Sequence, residues 1–192
     1  MEHAASSELL NGLTHDAASY VEEFECIVKA YQPKIFRFML TSLRDRDAAE
    51  NLTQDCFLKA CKARDSFRKD CSISTWLMRI AVNLIRDHER NRRLQFWRQL
   101  RHAKPSDTDL DRTIAARQHS PEAQALLKEE VNAIWQAAAL LPERQRTVFL
   151  LRFVEDMQLP AIASATGLQE GTVKVHLFRA VRSIRDRLGV KI

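Results

Sequence analysis

At 192 residues with 45% hydrophobic content, the chain is long enough for one medium domain or two small ones with real cores, which excludes wholesale disorder. Only four glycines and a predominance of Ala, Leu, Arg, Gln and Glu favour helix over strand. No apolar run approaches the roughly 18 residues of a membrane span, and the opening "MEHAASSELLNG" lacks the basic and apolar regions of a signal peptide, so the expectation is an all-α cytoplasmic protein without direct membrane insertion.

Charge is unevenly placed along the chain. The net charge is +5, but residues 86–104 carry seven Lys/Arg against two acids, and residues 174–191 carry six against one. Each stretch is therefore net +5, and the remainder of the chain is net −5. Two basic patches on an acidic body point to a polyanion bound at two places.

In chain order, residues 1–20 are polar and without strong pattern, and are expected to form a disordered N-terminus. A first unit is expected over 21–98. Its periodicity begins near Val21, with Phe24, Ile27, Val28 and Tyr31 on one face, and continues through Ile35, Phe38 and Met39. Pro33 marks a kink or a new start. Asp45 or Asp47 can cap the next helix, whose buried stripe is Ala49, Leu52, Cys56, Ala60 and Ala63. After the polar break "RKDCSIS", a long helix runs from about Ser74 to Arg93 or beyond.

Around Ile80, that helix gathers Leu77, Ala81, Leu84 and Ile85 on one side. Arg79, Asn83, Arg86 and Arg90 fall within roughly 60° of one another on the opposite side, bordered by Trp76. A basic stripe with an asparagine tracks phosphate and offers hydrogen bonds to bases. Phe67 sits at the mouth of the preceding loop, and aromatics beside a basic groove suit unpaired bases, whose stacking is worth about 1–3 kcal/mol each. The plainer alternative puts Trp76 and Phe67 in the core and leaves the arginines solvated.

Residues 99–120, rich in Pro, Ser, Asp and Thr, are expected to be a flexible linker. A second unit is expected over 121–192. It opens at Pro121, with apolar positions Ala125, Leu126, Val131, Ile134, Trp135 and Leu140. In "LPERQRTVFLLRFVEDMQ", Val148, Leu151 and either Phe153 or Val154 should point inward. The last two helices are "LPAIASAT" and the segment within "TGLQEGTVKVHLFRAVRSIRDRL". Val173, Leu177, Val181, Ile184 and Leu188 form the core stripe of the final helix. Gly171, Lys174, Val175, Phe178, Arg179 and Arg182 share another face. Ala163, Gly167 and Val173 give the small, glycine and aliphatic positions of a DNA-binding helix-turn-helix, whose second helix enters the major groove.

The four cysteines, Cys26, Cys56, Cys61 and Cys71, include no CxxC pair. Cys56 and Cys61 lie roughly 140° apart on a helix, poor geometry for a shared metal, and the thiols are expected to be structural. No metal site, cofactor, glycine-rich phosphate loop or nucleophile–base pair is expected. Two other classes of function compete. A stand-alone helix-turn-helix regulator explains residues 140–190 but not the loop and stripe at 67–90. A nuclease would need ligand spacing among His3, His15, His88, His102, His119 and His176, and there is none.

Four motifs in order, "DAAENLTQDCFLKA", "SFRKDCSISTWLMRIAVNLIRDHERN", "LPERQRTVFLLRFVEDM" and "LPAIASATGLQEGTVKVHLFRAVRSIRDRL", resemble the extracytoplasmic-function (ECF) sigma factors of bacterial RNA polymerase. The resemblance covers about residues 21–93 and 121–190 and implies an all-α chain: a sigma region 2 helical bundle and a sigma region 4 helix-turn-helix. It implies that Leu52, Gln54 and Asp55 meet the clamp helices of core polymerase. It further implies that Phe67, Ser72, Ile73, Ser74 and Asn83 capture the −10 element with a flipped base, beside the Trp76, Arg79, Arg86 and Arg90 of the stripe. Thr172, Lys174, Val175, His176, Phe178 and Arg179, with Arg182 on the same face, would meet the −35 element in duplex DNA. The linker would run toward the RNA exit channel and the second unit toward the polymerase flap. A membrane-associated anti-sigma factor is a common partner in that family, and the polymerase, not the sigma factor, does the chemistry. This chain departs from the family's usual pattern at Asn51, where an acid is common, at Cys71 and Met78, and at 174–176, where Lys-Val-His stands for basic-Ser-Arg. Val175 cannot donate a hydrogen bond but can touch a thymine methyl.

Overall fold

Asp45 shows how local chemistry sets the helix boundaries. It adopts an extended backbone, and its carboxylate accepts from the Ala48 amide at 3.1 Å, starting α2 where a carboxylate side chain can satisfy an orphan first-turn donor. The computed structural model describes residues 2–64, 67, 70–102 and 122–189, with side chains described at residue 22 and over 24–64, 67, 70–95 and 131–189. Among the described residues there are seven helices and no strand: α1 Glu2–Leu43, α2 Arg46–Ala63, α3 Ile73–His102, α4 Glu122–Ala139, α5 Glu143–Phe153, α6 Leu159–Thr166 and α7 Glu170–Leu188.

The helix bounds stand beside the expected spans as follows. The backbone of α1 starts at Glu2, within the residues 1–20 that composition marks as a disordered N-terminus. α1 also passes through Pro33 as one helix. At the far end of the first unit, α3 reaches His102, so helix takes residues 99–102 of the expected linker; the rest of that linker lies outside the described residues.

The first three helices bury Ile35, Phe38 and Met39 of α1 against Ala49, Cys56, Phe57 and Ala60 of α2 and Leu77, Met78, Ala81, Val82, Leu84 and Ile85 of α3. Each fully buried large aliphatic side chain contributes about 1.5–3 kcal/mol of transfer free energy. Small residues at Ala49, Cys56 and Ala60, all fully buried, let α2 lie close to its neighbours, and the Cys56 thiol donates to the Leu77 carbonyl at 3.7 Å. The last four helices bury Ala137, Ala138, Leu141, Val148, Phe149, Leu150, Leu151, Met157, Ile162, Ala165, Val173, Ala180 and Ile184.

Several positions read as apolar or structural face outward instead. Val131, Ile134 and Leu140 are exposed, because α4 turns Ala137 and Ala138 to the core. Phe153 is exposed while Val154 is half-buried, so of the two alternatives Val154 is the inward one. Cys26 and Cys61 are exposed and Cys71 half-buried, leaving Cys56 as the buried thiol. In α7 the stripe centres on Val173, Ala180 and Ile184, with Leu177, Val181 and Leu188 at its margins.

The two halves are packed together, α1 against α5 and α3 against α6. That contact holds one buried charge. Glu155, whose side chain is fully buried, accepts from Arg37 at both oxygens, at 3.1 Å from Nε and 2.9 Å from Nη2. A bidentate pair of this geometry offsets the loss of hydration that an isolated carboxylate could not survive.

Candidate nucleic-acid interface

The turn between α6 and α7 is made by Gly167. It takes φ 70°, its N–H donates to the Ala163 carbonyl at 2.9 Å, and Leu168 N–H shares that carbonyl at 3.2 Å. Thr166 returns its hydroxyl to the Ile162 carbonyl at 2.7 Å. Only glycine takes that left-handed geometry without a Cβ penalty, so α6 ends there and α7 sets off in a new direction. Val173, fully buried, anchors the first turn of α7.

This anchoring leaves Thr172, Lys174, Val175, Phe178, Arg179 and Arg182 exposed along one side of α7. Phe178 is 67% exposed and Val175 46%, high for apolar side chains on a helix that has a core to join. His176 differs from the others: it is half-buried, and its Nδ1 is buried without a hydrogen-bond partner. Burial first, then the positive charges of Arg144 and Arg179, hold its pKa below the ordinary histidine value. His176 thus lies at the border between the exposed basic side and the core.

The second basic surface lies on α3. Ser72 caps the helix: its hydroxyl oxygen accepts from Thr75 N–H at 3.1 Å and lies 2.9 Å from the Thr75 hydroxyl. Ser74 accepts from Lys34 Nζ at 3.2 Å, and Ile73 is half-buried. Phe67 and Trp76 stack as a tilted pair with centroids 5.0 Å apart, both half-buried. Trp76 packs against the core, and Phe67 stacks on it from the loop. Arg79, Asn83, Arg86 and Arg90 are exposed on one side, Arg90 bridging to Asp87 at 3.1 Å.

What no periodicity could reveal is the neighbour of this stripe. Arg79 donates to the Ser164 carbonyl at 2.9 Å and to its hydroxyl at 2.7 Å. Arg79, Asn83 and Arg86 share an open recess with residues 163–168 of α6 and the helix-turn-helix turn. Arg93 pairs with Glu143 at 3.0 Å, and Arg146 with Glu89.

A third surface lies on α2. Gln54 and Asp55 are exposed and Leu52 is half-buried. Gln54 lines a shallow polar recess with Gln32, Phe36, Arg46, Glu50 and Thr53. Leu58, one turn on and 59% exposed, joins this face and was missed; its signal was an apolar residue out of phase with the buried stripe. Ser164 and Glu155 were also missed, and they have no local signal. Among the described residues no group of His, Cys, Asp or Glu could hold a metal ion, and no helix is long and apolar enough to cross a membrane.

Comparison with known proteins follows these surfaces. The family described as Sigma-70 region 2 matches residues 27–95, which hold the α2 and α3 surfaces, and Sigma-70, region 4 matches residues 132–184, which hold the helix-turn-helix. The ECF RNA polymerase sigma factor SigW of Bacillus subtilis is 30% identical, over 87% of this chain and 89% of its own length. The RNA polymerase sigma-H factor of Pseudomonas aeruginosa is 33% identical, over 86% of each. Among solved structures, the sigma factor RpoE in complex with the anti-sigma factor NepR, from Bartonella quintana, superposes with a TM-score of 0.65 at 21% identity, covering 89% of this chain and 99% of that one.

Proposed function

The chain belongs to the ECF family of RNA polymerase sigma factors, and from that premise we propose that it binds bacterial core RNA polymerase, directs it to specific promoters and starts transcription there. The carrying observation is that one chain displays two basic surfaces of different kind. The α7 face, with Lys174, Val175, Phe178 and Arg179 outward, has the shape and charge of a helix that enters the major groove of a duplex −35 element. The α3 stripe, with Phe67 and Trp76 at its head, suits a −10 strand that has lost its partner. Ser72, Ile73 and Ser74 would shape the pocket for a flipped base, whose extrusion costs a few kcal/mol of stacking.

Leu52, Gln54 and Asp55, with Leu58, would meet the clamp helices, and the second unit the flap. The chain supplies specificity by binding, in the cytoplasm, with no cofactor, while the polymerase performs the chemistry. The RpoE–NepR complex supports control by an anti-sigma factor.

The test is reconstitution. Purified chain added to bacterial core polymerase should co-elute stoichiometrically and open a sequence-specific subset of a promoter library in a heparin-resistant form. A chain that ignores core polymerase yet binds duplex DNA tightly would instead be a conventional helix-turn-helix regulator.

A further inference from the structure

The outward face of α7 is apolar at its centre and basic at its rim. Val175 and Phe178 are 46% and 67% exposed and stand one turn apart, while Val173, Ala180 and Ile184 fill the buried side of the same helix. At 100° per residue Lys174 lies on one flank of this pair and Thr172 and Arg179 on the other, all three exposed, and exposed Arg182 continues the line. His176 does not join the centre, being half-buried with its Nδ1 buried and without a hydrogen-bond partner. A valine and a phenylalanine held in water inside a basic rim fit a partner that is apolar at its centre and anionic at its edges.

Neither side chain has a hydrogen-bond donor or acceptor with which to select a base. On the floor of a major groove the apolar group is the C5 methyl of thymine, and the walls are phosphate. At i and i+3 of a helix two Cβ atoms lie about 5–6 Å apart. Neighbouring base pairs are about 3.4 Å apart along the duplex axis and rotated, which brings the methyls of successive thymines to a like separation.

We propose that Val175 and Phe178 form a methyl-reading ridge, so that the duplex element held by α7 carries two neighbouring thymines beneath it. This rests on the reading of α7 as a duplex reader and names the bases it selects. Lys174 and Arg179 take the phosphates on the two sides, and the apolar pair supplies the choice of sequence.

The experiment uses the full chain as wild type, Val175→Ala and Phe178→Ala. Both side chains are exposed, so neither change opens the core, and circular dichroism checks the fold. A library of short random duplexes is selected on the wild type, and the recovered sequences should share a thymine–thymine step. The best of them is remade with deoxyuridine for each thymidine in turn, which deletes the methyl and keeps the base pair. Each of the two thymines should lose about fourfold in affinity, the value of burying one methyl group, and both together about fifteenfold. V175A should abolish the loss at one of the two positions and F178A at the other. Recovered sequences without the step, deoxyuridine that changes nothing there, or variants that keep the full loss would overturn the ridge. So would self-association in sedimentation that F178A abolishes, since the face would then belong to a second copy of the chain. If the chain alone retains no duplex, the selection is repeated on its mixture with core polymerase, and no retention there overturns the ridge as well. Promoter opening is measured separately. Methyl-dependent duplex binding by a chain that opens no promoter with core polymerase sinks the sigma-factor reading and leaves the ridge standing.

Discussion

Two side chains show how burial sets chemistry at single positions. Cys56 is fully buried between α2 and α3, and burial pushes its thiol up to about 12, with Lys59 opposing weakly. A thiol-disulfide reagent at pH 8 should therefore label exposed Cys26 and Cys61 in the native protein, and reach Cys56 only when the chain is unfolded. Rapid native labelling of Cys56 would contradict the packing described. His176 acts in the opposite sense. Its folded pKa lies below its unfolded value, so between the two the unfolded chain binds the extra proton. Stability from this residue is thus fully present above the unfolded value, near 6.5, and falls as pH drops below it. Denaturant melts between pH 5 and pH 8 should show that loss, and His176→Gln should flatten it.

At the scale of elements, the helix-turn-helix depends on one backbone conformation. Gly167 sits at φ 70°, and a Cβ there would meet nothing within 4 Å. Gly167→Ala should therefore cost about 1–2 kcal/mol from the left-handed backbone alone, with no steric addition, and Gly167→Asn should cost less. A loss much larger than this in chemical denaturation would mean a clash that the geometry does not contain. The same motif aims the cations of α7. If Lys174 meets a phosphate, Lys174→Ala should weaken binding to all duplexes alike and reduce the slope of log affinity against log salt by about 1. A change confined to one base position would make Lys174 a base reader instead.

At the scale of the whole molecule, the apolar core runs on from α1–α3 into α5–α6, and ion pairs line the seam. Halves coupled in this way melt together. Calorimetry of the wild-type chain should give one coupled transition, and Arg37→Glu should separate it into two, since the halves keep their own cores after the seam opens. A single unchanged transition in R37E would show that the pair contributes little to coupling.

The sequence by itself determined everything that repeats over a few residues. The α3 stripe of Arg79, Asn83, Arg86 and Arg90, the left-handed glycine, the buried anchor at Val173 and the outward face of α7 all follow from helical periodicity and local backbone preference, while the same rules narrow the cap of α2 to Asp45 or Asp47. Those rules act within one or two turns, so they fail where a third helix intervenes. They could not place Val131, Ile134 and Phe153 outside, because which flank of α4 and α5 is covered depends on partners distant in sequence. Only the tertiary structure decided that Arg79 meets Ser164, 85 residues away, and that Arg37 meets Glu155, 118 residues away. Glu155 reads in sequence as an ordinary surface acid. Its burial is a property of the packed halves, since desolvating a carboxylate is tolerable only where a cation from elsewhere in the chain arrives to pair with it.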